Sequence, residues 1–426
     1  MGLGFLKFAT PSNLAEMAYT PDGIFELIFT SWPLSWGYLF YCPLLCLFLY
    51  TNRSFISVDR SWFLLPCITW LCWNGFSCID TIDVALTKKV MINFCVISIA
   101  WYAGCSVDVN NARVTYFLSP IFVGFLYVIW SGFGQKFGGL EETRQMIYSE
   151  TGWESKYPPE FLYRIARDRI FATLTYPNSF AALIVLILPV VAVFGSLLVK
   201  EFVNKKIHLL ASAIILFAGL CCLWWTGSKT AFLVALFQIL LTFLFATPLK
   251  KNLRIGLGVG AVFLGLIVFF IQFSSYFEEG AKSLTQGRFG YWRAAKINYI
   301  ANPLTGSGPG TFFRAYQNLK RPDDEMARLA HNDYLQQASD AGSIAFISYS
   351  VIICLAIFTG FKNFPKLKRS KSKYWMLYFC IWIGFLGWAL QSLLEWTLYI
   401  PAISCVAFFF SGLLTHHYRV KPDNPA

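Results

Sequence analysis

The chain has 426 residues, of which 56% are hydrophobic and only 14% are charged, and its formal net charge is +12. Soluble globular domains are about half apolar and about a quarter charged, so this composition excludes an ordinary soluble enzyme. Apolar runs of about 20 residues recur along the chain, and a helix of this length crosses a bilayer. Because backbone polar groups in lipid must bond internally, the sequence predicts an all-α polytopic membrane protein.

The apolar runs predict about eleven or twelve transmembrane helices in one membrane domain, residues 1–426. A twelfth helix would lie in the segment GIFELIFTSWPLSWGYLF, if the first region is a helical hairpin. The other predicted spans lie near residues 34–50, 62–77, 90–106, 114–132, 179–199, 207–225, 230–247, 255–272, 343–361, 374–394 and 397–415.

Lysine and arginine divide the loops between the two sides of the membrane. The loops KEFVNKK, PLKKNLR and GFKNFPKLKRSKSK, and the tail HHYRVK, are almost purely basic. The positive-inside rule places them in the cytoplasm. Anionic membrane lipids, rather than nucleic acid, are therefore the partners expected for this positive charge.

The opposite, outer side carries the residues that are capable of chemistry. It comprises the segment 133–169, the TGSKT turn, a large loop, residues 273–342, and the turn around Glu395, which together carry both signs of charge. A transporter needs ionisable or unwound residues near the bilayer midplane, and the predicted spans have almost none. The pattern favours an enzyme that acts on a lipid-linked substrate at the outer interface.

The first outer segment, residues 133–169, is predicted to contain a helix lying on the membrane surface. Pro158 and Pro159 suit a first helical turn, and the residues that follow include an apolar face. Arg169 comes next, where a long cation reaches either a bound lipid phosphate or the bulk headgroups. Asn178 is interpreted as the cap of the following span.

The second outer segment offers a basic helix face and a glycine-rich loop. Arg288, Trp292 and Lys296 recur at intervals of four residues, which places them on one face of a helix. The arginine fork suits a phosphate. The stretch PLTGSGPG is expected to expose backbone N–H groups, although such loops are also common as simple turns.

His331 follows in the sequence RPDDEMARLAHNDYLQQ. Asp323 and Asp324 are predicted to cap a helix that runs through His331, and metal binding by this acidic pair is an alternative. A neutral imidazole can accept the proton of a hydroxyl that attacks a sugar. The other interpretation of His331 is a structural helix cap. We predict no metal site.

These motifs together resemble a known family. NPLTGSGPGTFFRAY, followed by AHNDYLQQASDAG and a membrane span, is similar to the signature of the O-antigen ligase and O-antigen polymerase superfamily. TGSKTAFLVAL, RIFATLTYPNSFAALIVLILP and the helix with Arg288 and Trp292 extend the resemblance over most of the chain from about residue 160 onward.

The resemblance implies the GT-C-like architecture of lipid-dependent glycosyltransferases, in a bacterial inner membrane. It also implies a glycan donor on undecaprenyl diphosphate, an active site that faces the periplasm, and chemistry without a metal or other cofactor. His331 matches the histidine that activates the acceptor, and Arg169 and Arg288 match positions that hold the diphosphate. The supporting positions are Trp292, Gly306, Gly308, Asn332 and Tyr334.

The chain departs from the family pattern at two positions. Lys229 stands in the tight turn where the family often has arginine, and still offers a point charge to a phosphate. Asp340 replaces the glutamate that usually follows the histidine. Arg293, on the same predicted helix as Arg288, is expected to add to the phosphate contacts.

Three reactions share this donor and differ in the acceptor. A ligase moves a finished glycan to lipid A-core, a polymerase joins repeat units, and a protein O-oligosaccharyltransferase uses serine or threonine. The sequence favours the ligase, with the polymerase as the main alternative. An exporter of the lipid-linked glycan is a distant fourth, because it would need a polar path through the spans.

Overall fold

The computed structural model describes residues 1–17, 20–24, 27, 31–40, 61–109, 113–156, 162, 165–199, 204–246, 250, 252–253, 256, 260, 286–322, 324 and 326–415. Every regular element in these residues is a helix, so the predicted all-α fold is confirmed. The α-helices are α1 Gly2–Lys7, α2 Ser61–Phe76, α3 Val84–Cys105, α4 Arg113–Gly134, α5 Leu140–Ser149, α6 Trp153–Lys156, α7 Pro177–Val199, α8 Lys205–Trp225, α9 Lys229–Ala246, α10 Gln286–Ala301, α11 Phe312–Leu319, α12 Asp333–Arg369, α13 Trp375–Gln391 and α14 Pro401–Thr415. Short 3₁₀ turns lie at Ser12–Met17, Ser77–Asp80 and Thr397–Tyr399, and a π turn lies at Gln135–Gly139.

Six of the described helices are long and apolar enough to cross a membrane. The chain is an all-α polytopic membrane protein. Two shorter apolar helices, α13 and α14, complete the described bundle. The predicted spans near 34–50 and 255–272 lie mostly outside the described residues. The count of eleven or twelve transmembrane helices therefore stays a prediction. The six are Val84–Cys105, Val114–Ser149, Pro177–Leu198, Lys206–Trp225, Lys229–Ala246 and Asp333–Arg369.

Hydrogen bonds between helix ends show which ends lie together. Asn178, at the start of α7, donates to Glu395, which follows α13 (Nδ2 to Oε1, 2.7 Å). At the opposite end of the bundle, Lys368 near the end of α12 donates to the carbonyl of Phe245 near the end of α9 (3.0 Å). The lysine-rich end of the bundle is therefore opposite the end that gathers Asn178 and Glu395.

Glycine brings α3 and α14 into backbone contact at the centre of the core. A Cβ on Gly412 would lie 2.0 Å from the carbonyl oxygen of Trp101, and one on Gly104 would lie 2.0 Å from that of Phe409. Small residues permit this close approach, which is typical of helix packing in membranes. Every described residue of α14 is buried, so the rest of the bundle is arranged around it.

The long helix α12 has two parts. Gly342, with φ of 75°, interrupts its helical geometry, and a Cβ there would lie 2.0 Å from the carbonyl oxygen of Leu304. Only glycine fits both the left-handed backbone and this space. Residues 333–341 therefore form a short leading helix, and residues 343–369 form the membrane-spanning part.

The structure corrects the predicted helix around His331. α12 begins at Asp333, with the Asn332 side chain accepting from the Leu335 N–H as its N-cap, so His331 precedes the helix. Asp324 instead accepts hydrogen bonds from Arg293 and from the Arg321 N–H, and Asp323 lies outside the described residues. The left-handed backbone of His331 (φ 50°) is the physical reason that no helix passes through it.

The predicted surface helix after Pro158 and Pro159 falls mostly outside the described residues. The described part of the same segment contains α5 and α6. Arg144 of α5 bonds the carbonyl of Ile165 through Nε (2.6 Å) and Asp168 through Nη2 (2.6 Å). α5 thus anchors the chain just before Arg169.

Replacement of Gly412 by alanine should destabilise the bundle, because the added methyl group forces α3 and α14 apart. Overpacking of this kind costs about 1–3 kcal/mol. Thermal unfolding of the detergent-solubilised protein should show a lower midpoint for Gly412→Ala. Gly75→Ala is the matched control, since a Cβ at Gly75 meets nothing within 4 Å; equal midpoints for the two variants would contradict this account of the core.

Candidate functional site

Glu395 is the centre of a cluster of polar side chains at the end of the bundle opposite the basic loops. Its side chain is only 5% exposed. Oε1 accepts from Arg288 Nη2 (2.6 Å) and from Asn178 Nδ2 (2.7 Å), and Oε2 lies 3.3 Å from His331 Nδ1. Three widely separated parts of the chain therefore meet at one carboxylate.

Arg169 joins this cluster through Asn178. Its Nη2 donates to Asn178 Oδ1 (2.8 Å), and its Nε donates to the carbonyl of Thr226 (2.6 Å). The side chain crosses over Gly227, whose φ is 61° and whose missing Cβ would lie 3.1 Å from Arg169 Nε. The small-residue turn TGSKT therefore leaves the space that Arg169 occupies.

The backbone after Arg169 is held by Gln135. The Gln135 Oε1 accepts from the N–H groups of Phe171 and Ala172 (2.9 and 2.8 Å), and its Nε2 donates to the Ala172 carbonyl (2.9 Å). Ala172 has φ of 52°, a left-handed conformation that is unusual for a residue other than glycine. The π turn that contains Gln135 thus fixes the direction in which Arg169 enters the cluster.

His331 is held on both ring nitrogens. Trp396 Nε1 donates to His331 Nε2 (3.3 Å), and an indole can only donate. Nε2 is therefore an acceptor, and the proton lies on Nδ1, where it is donated to Glu395. Tyr291 stacks on the imidazole with ring centroids 5.6 Å apart and planes at 29°, and the His331 side chain is 28% exposed.

The start of α12 and the loop after α13 are locked together through Asp333. Its N–H donates to the carbonyl of Ser392 (2.9 Å), and its Oδ2 accepts from Thr397 Oγ1 (3.1 Å) and from the Leu398 N–H (3.0 Å). His331 lies two residues before Asp333, and Glu395 lies between Ser392 and Thr397. These bonds therefore set the distance between His331 and Glu395.

The electrostatics of Glu395 favour its carboxylate form. Burial raises the pKa of this side chain, but the charge of Arg288 and the hydrogen bonds from His331 and Asn178 outweigh burial and hold the pKa below its usual value. Burial lowers the pKa of Arg169, as do Arg167 and Arg288, while the charge of Glu395 opposes the change. The negative charge of Glu395 is thus balanced by the positive charges of Arg288 and Arg169.

The glycine-rich loop packs against α12 and presents few N–H groups to a ligand. The N–H of Gly306 donates to the Asn302 carbonyl (2.9 Å), and that of Gly308 donates to the Asp340 carbonyl (2.8 Å). The N–H of Gly310 donates to Asp340 Oδ2 (2.9 Å). The expectation that this loop exposes its N–H groups is wrong, because Asn302, Ser339 and Asp340 accept their hydrogen bonds.

The other predicted site residues lie around the cluster or face away from it. Lys229 is exposed at the first position of α9, directly after the turn that holds Arg169. Arg293 pairs with Asp324 (2.6 Å). Trp292 packs edge-on against Phe289, with centroids 5.3 Å apart, and Tyr334 donates to the carbonyl of Ala389 on α13 (3.2 Å).

Sequence reasoning missed Glu395, Trp396 and the bridging role of Asn178. Glu395 was recognised only as part of an outer turn. Its sequence signal is a single carboxylate in the stretch QSLLEWTLYIP, between two apolar helices. A buried acid in such a position needs a partner charge, and that requirement points toward the arginines of the outer segments.

Within the described ranges, no three His, Cys, Asp or Glu side chains are grouped as metal ligands.

A comparison with protein families finds a match to part of this chain. The model described as O-antigen ligase matches residues 214–350. Those residues are an O-antigen ligase domain. The predicted resemblance to the O-antigen ligase and polymerase superfamily is confirmed. The match contains His331, Arg288 and Lys229, whereas Arg169 and Glu395 lie outside it.

The match supports a glycosyltransferase activity of the broad O-antigen ligase and polymerase type. The family match implies, in general terms, a lipid-linked glycan and a glycan acceptor as substrates. No curated protein matches the chain.

Replacement of Gly227 by asparagine should reduce glycan transfer by about tenfold, because the new Cβ pushes the Arg169 side chain out of place. Asparagine tolerates the left-handed backbone, so the loss reports the position of Arg169 rather than strain. Transfer by membranes with equal amounts of folded protein is the measurement. Gly75→Asn is the control, since a Cβ at Gly75 meets nothing within 4 Å; equal activity of both variants would contradict the role assigned to Gly227.

Proposed function

We propose that this protein transfers a glycan from undecaprenyl diphosphate to an acceptor hydroxyl at the periplasmic face of a bacterial inner membrane. The proposed acceptor is lipid A-core, so that the proposed reaction is that of an O-antigen ligase. The observation that carries the proposal is the convergence of His331, Arg288 and Arg169 on the buried carboxylate of Glu395.

His331 is the proposed general base. The Nδ1–H bond to Glu395 orients the ring, and Nε2 accepts the proton once the acceptor hydroxyl displaces the Trp396 N–H. As the acceptor oxygen forms a bond to the anomeric carbon, its proton passes to Nε2. A base placed in this way contributes about 10²–10⁴ to the rate.

Arg288 and Arg169 are the proposed phosphate ligands. The bond from the anomeric carbon to the diphosphate oxygen breaks, and its electron pair leaves with the lipid diphosphate. Fixed guanidinium groups stabilise the negative charge that develops there. Lys229 is exposed beside the Arg169 turn and adds a further point charge, whereas Arg293 would first have to leave Asp324.

The proposed orientation of the protein in the membrane rests on the positions of its basic residues. Lys366, Lys368 and Arg369 end α12 at the face opposite His331, and such basic ends face the cytoplasm. The segments 133–169 and 273–342 are then periplasmic. They lie where a lipid-linked glycan presents its diphosphate, at the membrane interface.

Replacement of His331 by alanine should reduce transfer by about 10²-fold or more while the protein still folds. Purified protein receives an undecaprenyl-diphosphate glycan with or without lipid A-core, and the products are sized on gels. His208→Ala is the matched control, because His208 bonds Ser196 (2.7 Å) near the basic end of α8. Full activity in the His331 variant would exclude it as the base.

The same wild-type reaction separates the candidate acceptors. A single addition that requires lipid A-core indicates the ligase. A ladder of products without lipid A-core indicates the polymerase. Transfer only to an added protein rich in serine and threonine indicates the protein O-oligosaccharyltransferase.

Trp396 is predicted to compete with the acceptor for Nε2. Trp396→Phe removes the indole N–H but keeps a ring to pack against Tyr176, whose centroid lies 4.9 Å away. The KM for the acceptor should fall several-fold, because a hydrogen bond of about 1 kcal/mol no longer has to be displaced. Initial rates at varied acceptor concentration provide the measurement, and a raised KM would show that Trp396 binds the acceptor instead.

A further inference from the structure

Both arginines of the site are already engaged by the protein before any donor binds. Arg288 contacts Glu395 directly at 2.6 Å, and Arg169 reaches it through Asn178. A diphosphate brings negative charge to the same guanidinium groups. The carboxylate of Glu395 and the diphosphate therefore compete for Arg288.

The contacts of Glu395 with Arg288 and with His331 differ in length. The bond to Arg288 is short, and the contact to His331 is longer, at 3.3 Å. Charge-assisted bonds between nitrogen and oxygen are usually about 2.7–2.9 Å long. Glu395 is thus bound more closely to Arg288 than to His331.

Because Glu395 is buried, the loss of its contact with Arg288 is costly. With a side chain only 5% exposed, Glu395 has little access to water once Arg288 leaves. A buried carboxylate must keep a partner charge or strong hydrogen bonds. Among the described residues, Asn178 and His331 still contact Glu395 at that point. His331 gains a positive charge when it accepts the proton of the acceptor.

We propose that Glu395 couples donor binding to base catalysis: the donor diphosphate takes over Arg288, and the released carboxylate then supports His331. This inference rests on the proposed function. With donor absent, Arg288 neutralises Glu395 and the histidine has weak support as a base. With donor present, Glu395 stabilises the imidazolium that forms as the acceptor oxygen attacks the anomeric carbon.

The exchange keeps the reaction balanced. The proton moves from the acceptor hydroxyl to His331 Nε2, the bond between the acceptor oxygen and the anomeric carbon forms, and the bond to the diphosphate breaks with its electrons on the leaving oxygen. Departure of the lipid diphosphate returns Arg288 to Glu395. The imidazolium then releases its proton to water. Glu395 is a positioning residue throughout.

Glu395→Gln tests the proposal, because an amide of the same shape cannot neutralise Arg288. Binding of undecaprenyl diphosphate to the purified protein should become several-fold tighter, while kcat for glycan transfer should fall at least about tenfold. A purely structural role would weaken binding and kcat together. Weaker diphosphate binding by Glu395→Gln, or an unchanged kcat, would overturn the proposal.

Arg288→Ala supplies a second, independent variant. It should bind undecaprenyl diphosphate more weakly, and addition of Glu395→Gln in this background should no longer tighten binding. A Glu395→Gln effect on binding that persists without Arg288 would overturn the exchange. Asp83→Asn is the control carboxylate, since it pairs with Arg314 (2.8 Å) on the same side of the bundle without touching the cluster.

Failure of this proposal can be distinguished from failure of the proposed function. Wild-type protein that binds undecaprenyl diphosphate and transfers glycan, with no tighter binding in Glu395→Gln, overturns the exchange alone. Wild-type protein that neither binds the diphosphate nor transfers glycan overturns the proposed function and the exchange with it.

Discussion

The Asp333 carboxylate is the contact on which the rest of the site depends. It joins the first turn of α12 to the loop between α13 and α14, through the Leu398 N–H and the Thr397 hydroxyl. Without this junction, His331 and Glu395 would belong to two unrelated loops. The motif His-Asn-Asp therefore combines three tasks: one residue faces the site, the next caps the helix, and the third fixes the facing loop.

Buried polar contacts continue from this junction into the bundle. Asp340 Oδ2 accepts from Gln336 (2.8 Å), Gly310 (2.9 Å) and Tyr399 (3.2 Å), and Gln337 accepts from the indole of Trp70 (2.7 Å). Networks of this kind specify one arrangement, because each missing partner leaves a costly unpaired group. The residues of AHNDYLQQASDAG thus hold the glycine-rich loop, α2 and the α14 entry in one register around the site.

The sequence predicted the features that depend on local pattern. Apolar runs identified α2, α3, α4, α7, α8, α9, α13, α14 and the spanning part of α12, and the interval between Arg288 and Trp292 identified α10. The polar outer segments identified His331 and the two arginines. The start of α12 was misplaced because the left-handed backbone of His331 results from the tertiary contacts around it rather than from local helix propensity.

Glu395 escaped prediction for a different physical reason. Its partners lie far away along the chain, with 64 residues separating it from His331 and 217 from Asn178. Which charge meets a lone carboxylate is decided by helix packing, and no periodicity in the sequence records that. The same holds for the glycine-rich loop, whose N–H groups are used by a helix that comes later in the chain.

The break at Gly342 lies between the residues of the candidate site and the membrane-spanning part of α12. Membrane helices tilt to match the thickness of the surrounding hydrocarbon layer. Because residues 333–341 are fastened to neighbouring loops above the break, the spanning part of α12 can tilt at this glycine while the pairing of His331 with Glu395 keeps its geometry. The break thus lets the direction of the span and the geometry of the site be set by different contacts.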